Sequence, residues 1–158
     1  MALRCPGARV VGVARLMRHR FVIMAEGYAS VMRDPSGVVH GVLWDLTLAD
    51  LRALDVYEDV ARGLYAKIEQ PVIKAAGGSG RALIYVGRNG AGGVALPGYM
   101  GGVLAAARQW NLPEAYLREL VRLTPVAEQR APATKAPLVE PPKVRPRFAS
   151  PLDRGKDD

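Results

Sequence analysis

Residues 38–65, VVHGVLWDLTLADLRALDVYEDVARGLY, join a nearly continuous apolar run directly to a helical pattern. The apolar run, VVHGVLW, predicts a central strand of a sheet, because strands that are covered on both faces lose the usual apolar–polar alternation. Thr47 then predicts the start of a short helix, since its hydroxyl can cap the first turn and Asp50 completes a weak capping box. The predicted buried side of this helix is marked by three leucines: Leu48, Leu51 and Leu54.

Three carboxylates follow the leucine pattern: Asp55, Glu58 and Asp59. If the helix continues one turn beyond Leu54, Glu58 shares the apolar face, where desolvation raises the pKa of a carboxyl group. A raised pKa suits general acid–base catalysis near neutral pH. If the helix instead ends by Asp55, Glu58 lies in a solvated loop. The pattern alone leaves both interpretations open.

Strand-like patterns dominate the rest of the first ninety residues. They cover 8–16 and 20–25 with a basic turn between them, 28–46 with a turn at 34–37, then 63–75 and 81–87. Two helices that start near Pro97 and Pro113 follow, since proline suits the first turn of a helix. Five or six strands with a few short helices predict an α+β domain with a small mixed, barrel-like β-sheet.

The composition changes sharply after residue 122. Residues 123–158 hold seven of the twelve prolines and one of the seventeen glycines, and their apolar residues follow no period. Such a segment cannot offset its ordering entropy by burial. We therefore predict a folded domain over residues 1–122 and a Pro-rich, disordered tail over residues 123–158.

Charge and composition exclude several classes of protein. The formal net charge is +7, but the positive residues are scattered, so we predict no nucleic-acid partner. No run of about 18 apolar residues predicts a membrane-spanning helix, and the N-terminus lacks the order of a signal peptide. Cys5 is the only cysteine and is predicted to be a free thiol without a role. We expect a cytoplasmic protein.

The glycine-rich segment and the two histidines are further candidates for a ligand or metal site. GRNGAGGVALPG, residues 87–98, formally fits the G-x-G-x-x-G/A dinucleotide fingerprint. Pro97 interrupts the helix that this fingerprint requires, so we expect a loop beside a substrate cavity. His19 and His40 share no metal-ligand spacing with each other or with Cys5, and no metal site is predicted.

The order of four segments resembles the γ-glutamylcyclotransferase-like family. The segments are CPGARVVGVARL, GYASVMRDPSGVVHGVLWDLTLADLRALDVYEDVARGLY, ALIYV and PGYMGGVLAAARQWNLPEAYLREL. The most specific part runs from VHGVLWDLT to LRALDVYEDVARGLY, which is similar to the family's V-x-G-x-L-W-x-L-T…L-D-x-Y-E-G-V…G-x-Y. The resemblance covers nearly all of residues 5–122. It implies a small mixed α+β fold whose barrel-like sheet encloses a cavity.

The resemblance also implies an activity of the transferase or lyase type. The best-characterised members cyclise γ-glutamyl amino acids or γ-glutamylamines, releasing 5-oxoproline and a free amine, without a metal or an organic cofactor. On this resemblance Glu58 is the general acid–base, and Tyr57 and Tyr65 are wall residues of the substrate site. Asp59 stands where the family has glycine, and we expect it to crowd or re-charge the mouth of the site.

One family motif is missing. Family enzymes begin with a strand that leads into a Tyr-Gly-Ser loop, whose backbone amides hold the γ-glutamyl group and stabilise the oxyanion. No Tyr-Gly-Ser sequence occurs in this chain. Either the loop is encoded upstream of Met1, or the protein is a catalytically impaired member that serves as a small-molecule-binding or protein-interaction module. A missing first strand would expose a sheet edge and predicts a homo-oligomer through that edge.

Overall fold

The computed structural model describes residues 4–90 and 92–125. Within them the elements are β1 (Arg9–Ile23), β2 (Ala29–Asp45), α1 (Leu48–Tyr57), a 3₁₀ turn (Val60–Arg62), β3 (Tyr65–Lys74), β4 (Ser79–Gly87), α2 (Tyr99–Gln109) and α3 (Glu114–Arg122). The predicted α+β class is confirmed, and so are the strands expected over 63–75 and 81–87. From residue 126 onward, the predicted tail lies outside the described residues.

The four strands form one antiparallel sheet in the order β2–β1–β3–β4. Two long hairpins, β1–β2 and β3–β4, are joined through only two residue pairs, Ala14 with Lys74 and Arg15 with Ile73. The outer strands approach each other at one end, where the Gly87 N–H donates to the Ser30 hydroxyl at 2.9 Å. The sheet is therefore barrel-like in curvature, but no ladder of the described strands closes it.

Residues 8–16 and 20–25 were predicted as two strands with a basic turn between them, which is wrong. They form the single strand β1, and Arg18 takes a left-handed backbone conformation with φ 58° inside it. The chain does not reverse there because both halves of β1 pair with the same partner strand. The pairs that flank Arg18 are Met17 with Val38 and His19 with Arg33.

The predicted turn at residues 34–37 is a bulge-like irregularity within β2, opposite Arg18. It does not separate two strands. Its turn chemistry is as expected. The Asp34 carboxylate accepts hydrogen bonds from the Ser36 N–H at 3.0 Å and from the Ser36 hydroxyl at 2.9 Å. Since the residues on both sides of this irregularity pair with β1, although in a shifted register, the five or six predicted strands become four.

β2 is an outer strand of the described sheet, whereas its apolar run predicted a central one. The helices cover its side chains in place of a second neighbouring strand. His40 packs on Tyr116 with ring centroids 5.0 Å apart, and Trp44 packs edge-on against Trp110 at 6.3 Å. The run is therefore apolar because it packs against α2 and α3, and not because β2 is central in the sheet.

The main hydrophobic core lies between the sheet and the last two helices. α2 follows Gly98, which has a left-handed φ of 79°, and α3 follows Pro113, so the predicted helix starts are confirmed. No helix in residues 4–90 and 92–125 is long and apolar enough to cross a membrane. The buried residues of this core are Ile23, Ala95, Met100, Leu104, Ala107, Leu112, Tyr116 and Leu120.

The glycine-rich segment 87–98 is bound to the turn between β1 and β2. The Gly93 N–H donates to the Ile23 carbonyl at 3.1 Å, and the Leu96 N–H donates to the Gly27 carbonyl at 3.2 Å. A dinucleotide site would need a helix that starts within the fingerprint, but α2 begins only at Tyr99. Gly87 and Gly93 serve close packing, since a Cβ would lie 1.7 Å from the Met24 sulfur at Gly87 and 1.6 Å from the Met24 carbonyl oxygen at Gly93.

We expect Gly93→Ala to lower the free energy of unfolding by about 3 kcal/mol or more, because the new methyl group collides with backbone. Gly102→Ala is the matched control. Nothing lies within 4 Å of a Cβ at Gly102 in α2, so the alanine should stabilise the helix by about 0.5–1 kcal/mol. Urea denaturation of both variants measures the difference, and equal stabilities would contradict the packing role of Gly93.

Candidate active site

A capping box fixes the start of α1. The Thr47 hydroxyl oxygen accepts from the Asp50 N–H at 3.1 Å, and Asp50 Oδ2 accepts from the Thr47 N–H at 3.1 Å and from its hydroxyl at 2.7 Å. Asp50 is only 3% exposed, and its Oδ1 also accepts from the Gly7 N–H at 3.3 Å. The hydrogen bonds from Thr47 hold the pKa of Asp50 below its usual value. The predicted capping box is confirmed.

The helix extends past Asp55 and ends at Tyr57. Glu58 is its C-cap residue, and its N–H donates to the Leu54 carbonyl at 2.8 Å. Of the two interpretations left open by the pattern, the structure therefore shows the longer helix, with a partly buried Glu58 one turn beyond the buried Leu54.

The predicted leucine stripe is wrong at one position, since Leu48 is 77% exposed. Leu48 and Leu54 are six positions apart. At about 100° per residue, their side chains therefore point about 120° apart around the helix. In the first turn the inward position belongs to Asp50, which lies on the Leu54 side. The Asp50 side chain therefore occupies the buried position in the first turn that the leucine pattern predicted for Leu48.

Glu58 lies in the wall of a cavity of about 190 Å³ that is otherwise lined mainly by tyrosines. Five of the six tyrosines of the chain contribute to it. Tyr57 and Tyr65, the two wall residues expected from the family resemblance, are among them. The described lining residues are Tyr28, Ala29, Tyr57, Glu58, Leu64, Tyr65, Tyr85 and Tyr99.

Sequence reasoning missed three of these tyrosines, because they come from separate elements. Tyr28 lies in the β1–β2 turn, Tyr85 in β4 and Tyr99 at the start of α2. The available signal was that each of the segments GYAS, ALIYV and PGYM contains one tyrosine.

Desolvation dominates the electrostatics of the cavity. It raises the pKa of Glu58, and the Arg4 guanidinium acts in the opposite direction. Arg4 lies over the Tyr57 ring, with its guanidinium carbon 3.9 Å from the ring centroid. Burial also raises the pKa of the tyrosine hydroxyls, most of all those of Tyr65 and Tyr85, so these groups remain protonated at neutral pH. The cavity thus combines one carboxyl group with several neutral hydroxyls.

Hydrogen bonds hold three of the tyrosine side chains in place. The Tyr65 hydroxyl donates to the Ala29 carbonyl at 2.8 Å, and the Tyr99 hydroxyl accepts from the Ala29 N–H at 3.1 Å. The Tyr85 hydroxyl donates to Asp55 Oδ1 at 2.7 Å. Asp55 therefore holds the Tyr85 side chain in the cavity wall and is not itself a lining residue.

Asp59 does not line the cavity, contrary to the expectation that it would crowd the mouth of the site. Its carboxylate binds the Arg62 guanidinium at 2.8 Å. The backbone of Asp59 has φ 52°, in the left-handed region that glycine adopts without strain. The glycine of the resembling family at this position is therefore explained by backbone conformation.

The remaining candidates lie elsewhere. His19 is buried, with Nδ1 2.8 Å from the Met17 carbonyl oxygen, and burial lowers the pKa of His40. Cys5 is buried and free. Among the described residues, no group of three or more His, Cys, Asp or Glu side chains could hold a metal ion.

A larger cavity of about 420 Å³ lies between β2 and the last two helices. Its described lining contains no carboxylate and consists mostly of apolar side chains. Its ionisable lining residue His40 packs on Tyr116, and burial lowers the pKa of His40. We therefore assign the candidate active site to the smaller cavity, where a carboxyl group with a raised pKa is present.

Comparisons with known proteins identify the family and a similar fold. The model of the AIG2-like family matches residues 38–120. Gamma-glutamylcyclotransferase of Mus musculus is 28% identical over 133 residues, which cover 78% of this chain and 71% of that protein. Gamma-glutamylcyclotransferase of Homo sapiens is 28% identical over 99 residues, covering 63% of this chain and only 53% of that protein. A solved structure of a gamma-glutamyl cyclotransferase superposes with a TM-score of 0.72 at 26% identity, covering 78% and 79% of the two chains.

The raised pKa of Glu58 predicts a pH-dependent gain in stability for Glu58→Gln. Burial favours the protonated carboxyl group, so the folded wild type binds more protons than the unfolded chain above the ordinary glutamate pKa of about 4.3. Ionisation at pH 7 therefore costs the wild type stability, and the neutral amide avoids this cost. We expect a higher Tm for Glu58→Gln at pH 7 and a smaller difference at pH 4, measured by thermal unfolding.

Glu69→Gln is the control for this experiment. Glu69 pairs with Arg81 at 3.0 Å, and its side chain is 59% exposed. Its replacement should give no stabilisation at pH 7. A Tm of Glu58→Gln that is no higher at pH 7 than that of the wild type would contradict the desolvation of Glu58.

The left-handed backbone of Asp59 predicts different responses to two small residues. Asp59→Ala should lose about 1 kcal/mol of unfolding free energy, because alanine keeps a Cβ at a φ that it tolerates less well than aspartate and also loses the ion pair with Arg62. Asp59→Gly should stay close to the wild type, since relief of strain offsets the loss of an exposed ion pair with Arg62. Chemical denaturation measures both, and equal losses would show that the ion pair outweighs the backbone conformation.

Proposed function

This chain belongs to the AIG2-like family, and from that premise we propose that it catalyses γ-glutamylcyclotransferase chemistry. The reaction is the intramolecular aminolysis of a γ-glutamyl-linked amine or amino acid, which releases 5-oxoproline and the free amine. The observation that carries the proposal is the position of Glu58, a carboxyl group with a raised pKa in the wall of a tyrosine-lined cavity.

Glu58 acts as the general acid–base in this proposal. Its carboxylate takes a proton from the α-ammonium group of the substrate, and the resulting amine attacks the γ-carbonyl carbon of the same molecule. A new C–N bond forms, and the attacking nitrogen gives up its second proton as the ring closes. Glu58 passes both protons in turn to the leaving nitrogen, so that the C–N bond to it breaks and it departs as an ammonium group. Atoms and charges balance without water. A raised pKa suits a group that must both accept and donate a proton near neutral pH.

The cavity favours a compact substrate group. Its volume of about 190 Å³ is below the roughly 300–1,000 Å³ of pockets for drug-sized ligands. A γ-glutamyl group is small and must fold back on itself for cyclisation, which the walls that include Tyr57 and Tyr65 would promote by confinement. The leaving amine then extends toward solvent.

Release of 5-oxoproline tests the proposal directly. The protein would be incubated with γ-glutamyl amino acids and γ-glutamylamines, and the product quantified by mass spectrometry. We expect Glu58→Gln to lower kcat by about 10²–10⁴-fold, the usual contribution of a general acid–base. Glu69→Gln keeps the same charge change on the surface and should leave the rate unchanged. An undiminished rate in Glu58→Gln would contradict the role of Glu58.

A non-catalytic binding module is the second candidate function, because a tyrosine-lined cavity with an unpaired Tyr28 hydroxyl can bind a ligand whether or not turnover follows. It predicts that γ-glutamyl compounds raise the Tm of the protein while no 5-oxoproline forms. The same substrate panel therefore separates the two functions in one pair of measurements.

The remaining attributes are predictions from the sequence. They are a cytoplasmic location, no metal or organic cofactor, no nucleic-acid or membrane partner, and self-association through an open sheet edge. The outer positions of β2 and β4 in the described sheet support the last of these, since each presents a side without a strand neighbour there.

A further inference from the structure

Two buried side-chain oxygens in the described part of the chain have no hydrogen-bond partner within it: Glu26 Oε2 and Tyr28 Oη. Both belong to the turn between β1 and β2. Buried polar groups are almost always hydrogen-bonded in native proteins, and an exception needs an explanation. Since both exceptions fall in one turn, the explanation belongs to the function of that turn.

Tyr28 faces the same cavity as Glu58. Its ring packs edge-on against Tyr99, with centroids 5.7 Å apart and an angle of 78° between the ring planes. The hydroxyls of Tyr65, Tyr85 and Tyr99 each have a protein partner. Among the described residues, the Tyr28 hydroxyl is the tyrosine hydroxyl of the cavity that is buried and has no hydrogen-bond partner.

Three hydrogen bonds fix the backbone of Tyr28 and Ala29. Ala29, the next residue, has its carbonyl bound by Tyr65 and its N–H bound to Tyr99. The Tyr28 carbonyl accepts from the Met24 N–H at 2.8 Å. A hydroxyl held in this way loses little freedom when it binds a ligand, which is what pre-organisation requires.

The Tyr28 hydroxyl is a donor toward a ligand. Burial raises its pKa, so it keeps its proton at neutral pH. A carboxylate would be matched better by the guanidinium of Arg4, which lies over Tyr57 at the same site. A neutral phenol suits a carbonyl oxygen, which gains negative charge when its carbon is attacked.

We propose that the Tyr28 hydroxyl donates a hydrogen bond to the γ-carbonyl oxygen of the substrate and stabilises the oxyanion that forms there. This inference rests on the proposed function and assigns Tyr28 a catalytic role that complements Glu58. Glu58 moves protons on the two nitrogens, whereas Tyr28 supports the charge on oxygen.

Tyr28→Phe tests the inference, because it removes the hydroxyl and keeps the ring. We expect kcat for 5-oxoproline release to fall about 10²-fold, as for the loss of one oxyanion donor, with KM changed less than threefold. The Tm should not fall, and an increase of about 2–4 °C is expected, because the variant no longer buries an unpaired hydroxyl.

Tyr116→Phe is the matched control. Tyr116 is 5% exposed in α3, does not line the candidate cavity, and packs on the His40 ring with centroids 5.0 Å apart. Its replacement should lower the Tm and leave kcat unchanged. The two variants thus lose the same atom, but their Tm values are expected to change in opposite directions and only Tyr28→Phe is expected to lower kcat.

The outcomes separate this inference from the proposed function. Turnover that depends on Glu58 but is unaffected by Tyr28→Phe overturns the inference alone, and so does a fall in Tm with unchanged kcat. If the wild type releases no 5-oxoproline but binds it, calorimetry replaces kinetics. The affinity of Tyr28→Phe for 5-oxoproline should then be about tenfold weaker, and equal affinities overturn the inference. A wild type that neither turns over γ-glutamyl compounds nor binds 5-oxoproline overturns both.

Discussion

The buried carboxylate of Asp50 is the constraint on which the candidate site depends. It binds both polar groups of Thr47 and the N–H of Gly7, so it fixes where α1 begins and ties that end to the N-terminal segment. A helix rises about 1.5 Å per residue, and Glu58, eight residues later, is therefore placed about 12 Å away. The position of the acid in the cavity follows from a cap at the opposite end of the same helix.

The cavity gains its chemistry from phenol groups that remain neutral. A phenol supplies a hydrogen-bond donor without a charge, and its ring excludes water, so several tyrosines around one carboxyl group both desolvate that group and leave it without a strong counter-charge. Arg4 is the exception, since it lowers the pKa of Glu58 from above the Tyr57 ring. Of these two effects desolvation is the larger, so the pKa of Glu58 lies above that of a free glutamate.

Local rules predicted much of this structure from the sequence, and the errors arose where distant segments meet. The capping box of α1, the strands β3 and β4 and the starts of α2 and α3 follow from residues within a few positions of one another. The continuity of β1 through Arg18 could not be read, because it depends on a bulge-like irregularity in β2 that only the pairing register reveals. The edge position of β2 was hidden for the same reason, since its covering helices come more than fifty residues later.

For the candidate site, too, the sequence predicted a single residue but not how distant segments meet around it. The helical pattern placed Glu58 on the Leu54 side if α1 was long enough, and the family resemblance pointed to the same residue, but neither could show that five tyrosines converge on it. Convergence creates the two features that oppose stability here, a desolvated Glu58 and an unpaired Tyr28 hydroxyl. Natural sequences retain such features where function outweighs stability. A ligand with an ammonium group and a carbonyl oxygen would satisfy both side chains at once, and a γ-glutamyl amine carries these two groups.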